Sequence, residues 1–225
     1  MHAFLTGDFF YFSLGVCLVG SLVRLSLYIK GLSWQLDRVA YGVYPGAGLK
    51  GAFISIYKWL LPFGTRSWRT QPAMALAFFT FHIGAICLPL FLLAHTLVWE
   101  STLGISLPAL DPKMADIMAI LALAALGFLG LRRLILPQVR ILTTGKDIFL
   151  IALSAAPFIT GLAARYQMGD YVFWLNAHIL SGELILLAIP FTKFSHIFLF
   201  FASRAQIGMD FGIKRGGMKG SNLNW

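Results

Sequence analysis

Charge is the first thing in short supply. Of the 225 residues only 12% are Asp, Glu, Lys or Arg, about half the share of an ordinary soluble domain. With a mean hydropathy of +0.77, that scarcity excludes a soluble enzyme and points to a membrane chain. Acid is scarcer than base, nine Asp and Glu against eighteen Lys and Arg. In a soluble protein such an excess would suggest nucleic acid. Here the basic residues flank apolar runs, so they report topology, and no nucleic-acid partner is expected. Cysteine is almost absent. Cys17 and Cys87 both lie in apolar runs, with no CxxCH and no cysteine cluster. That excludes attached c-type haem, iron–sulfur ligation and a disulfide framework. Internal repeats are missing too. No cleavage site follows the first apolar run; Arg24 and Lys30 do, so it is read as a retained span.

What is present is a set of five long apolar segments. They are expected as transmembrane helices at about 9–29, 72–98, 114–131, 148–164 and 171–203 of a single all-α integral membrane domain, 1–225. Between the first two lies LKGAFISIYKWLLPF, Leu49–Phe63, too short to span and mixed in lysines and aromatics. It reads as a helix lying at the interface. With the N-terminus outside, every Lys and Arg except Lys113 and Arg165 falls within the spans or toward the inner side. Asp8, Glu100, Asp111, Asp116 and Asp170 fall outside. The asymmetry predicts an outer N-terminus and an inner C-terminus.

The chain has five histidines. His2 is at the N-terminus, and the other four fall in two segments: His82 and His95 in the second span, His178 and His196 in the fifth. On a continuous helix the 18-residue spacing is five whole turns, about 27 Å, and puts both imidazoles on one stripe. The 13-residue spacing is about 20 Å. Antiparallel second and fifth spans then match His82 with His196 near the inner face and His95 with His178 near the outer face. Two axial nitrogens about 4 Å apart, from facing helices, are what low-spin haem iron requires. The pattern predicts two stacked b-type haems and an electron path across the membrane. Pro89, Pro190 and helix tilt are left to absorb the unequal spacings.

Other residues are candidates around those ligands. Gly84 and Gly182 would let a flat macrocycle approach a helix, or they pack helices. Lys193 and Arg140 stand where propionates of the inner haem would emerge, or they only obey the positive-inside rule. Glu183 is an acid inside the fifth span, a candidate proton site, or a hydrogen-bond donor to a neighbouring helix. Lys113, at the outer start of the third span, is a candidate for a quinol site or a snorkelling lysine.

The segment HILSGELILLAIPFTKFSH, residues 178–196, resembles the closing helix of the membrane cytochrome b (gamma) subunit of respiratory nitrate reductase. RILTTGKD, residues 140–147, is similar to that family's loop between spans three and four, and FHIG, residues 81–84, to its first-ligand motif. The resemblance covers nearly the whole chain and implies haem ligation by His82, His95, His178 and His196. The 13-residue interval and the long segment 31–71 depart from nitrate reductase. They resemble instead the cytochrome b subunits of transmembrane redox complexes of sulfate-reducing bacteria. That resemblance implies a bacterial cytoplasmic membrane, a periplasmic multihaem cytochrome c or menaquinone on one side, and a cytoplasmic iron–sulfur subunit on the other. It implies an electron-transfer subunit, not catalytic alone unless it carries a quinone site. A haem-free anchor of a redox complex, or a haem or metal transporter, stays open.

Overall fold

The computed structural model describes residues 1–32 and 45–212. Arg38 and the basic, glycine-rich tail lie outside them. The described residues are helical throughout, with no strand. Five helices are long and apolar enough to cross a membrane: His2–Lys30, Pro72–Phe91, Pro112–Ile135, Gly145–Arg165 and Tyr171–Ala188. The shortest, at 18 residues, is about 27 Å long, a little under a hydrocarbon core of about 30 Å and within the range of transmembrane helices. The chain is a multi-pass membrane protein, and lipid is the medium its apolar surface fits. Leu18, Val19, Leu22 and Val23 of the first span are each more than half exposed, the wrong face for water and the right one for acyl chains.

Polar end residues explain why the helices outrun their apolar runs. Asp111 caps Pro112–Ile135 by accepting from the backbone N–H of Lys113 at 2.9 Å and of Met114 at 3.2 Å, with Pro112 in the first turn. The TTGKD stretch serves Gly145–Arg165 in the same way. Asp147 accepts from the backbone N–H of Thr144 at 2.9 Å and from its hydroxyl at 2.8 Å, and it is buried there.

Two of the expected spans are not single helices. The second ends at Phe91. Leu92 is extended (ψ 134), and a new helix, Leu93–Leu103, follows it. The fifth ends at Ala188, and one 3-10 turn, Lys193–Ser195, separates it from His196–Gly212. So the four histidines occupy four helices, and the five-turn stripe joining His178 to His196 does not exist. The cause is local. Pro190 has no N–H to continue the ladder, and it disfavours helical dihedrals at the residue before it. Thr192 then offers a cap, its hydroxyl accepting from Phe194 N–H at 3.2 Å. At the other break the freed acceptors find partners. Pro89 O accepts from the Trp99 indole N–H at 2.9 Å and Phe91 O from Leu110 N–H at 2.8 Å. The prolines expected to bend two helices help to end them instead.

Contacts gather into two units. The first comprises Met1–Thr6 and Leu76–Ile185. In it Pro112–Ile135 packs on Gly145–Arg165, and Gly84 admits Ala122, whose Cβ would lie 2.6 Å from a β-carbon placed at 84. The second unit comprises the described residues of Gly7–Ala75 and Leu186–Trp225. Its helix Pro45–Leu60, which contains most of the segment expected at the interface, lies along His196–Gly212. The two backbones meet where Gly208 faces the Gly51 carbonyl, a crossing that no side chain at 208 would permit. Arg204 stands 4.3 Å above the Trp59 ring, and Tyr28 Oη donates to Gln206 Oε1 at 2.6 Å.

Candidate cofactor site

Four histidines are held in one manner. Nδ1 lies 2.7 Å from Phe78 O in His82, 2.9 Å from Leu88 O in His95, 2.9 Å from Pro157 O in His178 and 2.8 Å from Lys193 O in His196. A carbonyl oxygen only accepts, so each Nδ1 carries the proton and the ring's lone pair is at Nε2. That is the tautomer of a metal-bound imidazole oriented by its outer nitrogen.

The structure brings two of the four together. His95, in Leu93–Leu103, and His178, in Tyr171–Ala188, have ring centres 5.9 Å apart and planes within 10° of parallel. Two imidazoles sharing one iron, each bonded at about 2 Å, have centres about 6 Å apart. The separation therefore suits one metal between them. One turn of Gly145–Arg165 seats the His178 ring. Pro157 supplies the carbonyl, and Thr160 Oγ1 lies 3.5 Å from the same Nδ1. A β-carbon at Gly161 would lie 3.0 Å from His178 Nδ1 and Cε1, so any larger residue there would have to displace the ring. The other ring depends on the break at Leu92, since His95 reaches a carbonyl seven residues back, beyond the interruption.

No group of three or more His, Cys, Asp or Glu side chains lies together among the described residues. A pair of imidazoles suits a macrocycle that brings four nitrogens of its own. The donor set and the ring separation fit haem.

His82 lies in the first unit with the Phe78 ring 3.9 Å away, centre to centre. His196 lies in the second, as the first residue of its helix. Among the other candidates, Gly84 packs against Ala122. Gly182 has nothing within 4 Å of its missing β-carbon. Glu183 is 2% exposed, and both carboxyl oxygens are buried without a hydrogen-bond partner. Lys113, Arg140 and Lys193 are exposed, and the Lys193 backbone carbonyl receives His196 Nδ1.

The sequence does not mark Pro157, Thr160 and Gly161 as partners of His178, because their own span holds no histidine. Pro157 and Gly161 are four residues apart and so share a helix face, which was the available signal. Nor does the sequence mark His2, whose Nδ1 lies 3.1 Å from Oδ1 of the buried Asn176, two residues before His178.

No family model matches the chain. A protein of Nitratidesulfovibrio vulgaris, strain Hildenborough, is 54% identical over 226 residues, with 100% of each chain covered. Its name, simply "Protein", carries no activity.

Proposed function

We propose that the chain, which belongs to one family with that Nitratidesulfovibrio vulgaris protein, is a di-haem b subunit carrying electrons across a bacterial cytoplasmic membrane. The observation that supports the reading is the His95–His178 pair, near parallel at the separation of two ligands on one iron. In this reading the pair holds the outer haem, and His82 and His196 are the ligands assigned to the inner one. Haem supplies reversible one-electron chemistry, with a potential tuned by its surroundings.

The chain's own part is to hold and orient. Donation from Nδ1 to a carbonyl fixes each ring and makes Nε2 the better ligand. Gly161 leaves room for His178, and Pro157 and Thr160 keep it from turning. The N-terminus is assigned to the outside, the C-terminus to the inside, and Pro45–Leu60 to the inner interface, following the basic residues. Lys193 and Arg140 are assigned to the inner propionates. The assigned partners are a periplasmic multihaem cytochrome c or the menaquinone pool outside, and an iron–sulfur protein inside. Glu183, an intramembrane acid without a partner, is assigned to proton handling, and Lys113 to the outer quinol site.

Purified protein tests this directly. Reduced minus oxidised spectra should show b-type haem at two per chain. His95→Ala and His178→Ala should each remove the same single haem and leave the other. A preparation with no visible-region absorbance, or a loss of different haems from these two variants, would refute the assignment.

A further inference from the structure

Gly20 lies in the helix Phe10–Lys30. A β-carbon there would come 2.7 Å from Pro190 Cβ and 2.9 Å from its Cγ. Pro190 is buried and its ring is rigid, so the overlap cannot be relieved by a rotamer change. Gly15, five residues earlier in the same helix, has nothing within 4 Å of the corresponding position. Gly15 lies about 140° round the helix from Gly20, so the close approach is confined to the side that carries Gly20.

Pro190 opens the interruption that leads to His196, and each step onward is tied. Phe191 N–H and Thr192 N–H both donate to Ala188 O, at 3.3 and 3.0 Å. The Thr192 hydroxyl donates to Ala188 O at 2.7 Å and accepts from Phe194 N–H. Ser195 Oγ, buried, donates to Thr192 O at 2.9 Å. Lys193 O then receives His196 Nδ1 at 2.8 Å. From Pro190 to the imidazole the chain is one hydrogen-bonded turn with no slack residue.

We propose that Gly20 is a positioning residue for His196: its missing side chain seats Pro190, and the seat fixes where the turn, and with it the imidazole, stands. A β-carbon at 20 pushes the pyrrolidine out, the turn follows as a body, and Nε2 of His196 moves away from its working place. The inference rests on His196 being a haem ligand, as proposed above.

The test uses the full chain in detergent. His178→Ala and His196→Ala first assign the two low-spin haem signals by electron paramagnetic resonance. Gly20→Ala is then compared with Gly15→Ala by the same spectra, by redox titration and by hydrogen exchange of the backbone amides of residues 191–196. Gly20→Ala is expected to shift the His196-dependent signal and its potential, to leave the His178-dependent signal alone, and to speed exchange in that segment by about tenfold or more. Gly15→Ala is expected to match the wild type. Pro190→Ala, which removes the ring without adding bulk, should speed the same amides, and it serves if Gly20→Ala does not fold. Wild-type exchange rates in both Gly20→Ala and Pro190→Ala overturn the proposal, as does an equal change in both haem signals. If the wild type holds no haem, the haem assignment falls, and the exchange rates alone decide whether Gly20 fixes the segment carrying His196.

Discussion

His178 and His196 are alike in chemistry and opposite in how they are held. Pro157 O, which receives the Nδ1 of His178, is 21 residues away on another helix. Lys193 O, which receives that of His196, is three residues away in the turn preceding its helix. His95 resembles the first, reaching back across a helix break, and His82 the second, bonding four residues back on its own helix. A local anchor exists wherever its helix forms. A distant anchor exists only when two elements have docked. The His95–His178 pair should therefore respond to changes that touch neither histidine, and the imidazole of His82 should not respond to the same changes.

The largest effect is expected at Gly161. Gly161→Leu adds a branched side chain beyond a β-carbon that already reaches 3.0 Å from the His178 ring, bulk that a small shift of the ring cannot take up. Total haem should fall by half, with the His178-dependent signal gone and the other unchanged. Gly161→Ala is milder. Its added carbon reaches 3.0 Å, which the ring can meet by a shift of tenths of an ångström, so a displaced potential with retained haem is expected. If Gly161→Leu keeps both haems, the seat described for His178 is wrong. A redox titration resolving two potentials reads all three outcomes.

Next comes the break at Leu92. Trp99→Phe keeps most of the ring and removes the donor to Pro89 O, leaving that carbonyl without its partner at a cost of about 1 kcal/mol. Slower, weaker retention of the outer haem is expected, read as faster haem loss to an apo-globin acceptor, with the inner haem unaffected. Equal loss from both sites would mean that the break supports the whole chain and not His95 alone.

The contrast between local and distant anchors also explains what was legible in the sequence. The five spans were readable because hydropathy is summed over many residues, and single errors do not matter. Their ends were less so: Asp111 and Thr144 look polar, yet they begin helices. The two breaks were misread for a related reason. Pro89 and Pro190 were visible, but a proline can bend a helix or end it, and the outcome depends on whether the freed carbonyls find donors. Trp99, Leu110 and Thr192 supply them, and nothing in hydropathy marks those residues as partners. The four histidines stood out because they are few, and the structure sets two of them, His95 and His178, side by side. Pro157, Thr160 and Gly161 did not stand out, because their role depends on which helix packs beside His178, a tertiary fact.

The smallest effect, and the sharpest for the comparison, concerns His2. The fifth histidine is terminal in the sequence, yet Met1–Thr6 belongs with the unit that holds the His95–His178 pair. His2 bonds Asn176, which lies on the same helix as His178 and is buried. His2 itself is exposed, so water replaces the lost partner, and His2→Ala should cost less than about 1 kcal/mol of stability. Its effect should nonetheless be one-sided. A small displacement of the outer potential is expected, with the inner potential unchanged to within error. Asn176→Leu removes the other half of the same contact and should move the same potential further, because the substituted position is buried. If neither variant moves the outer potential, the N-terminal turn is only packed against this helix. If both move the inner potential instead, the haem depending on His178 has been assigned to the wrong side.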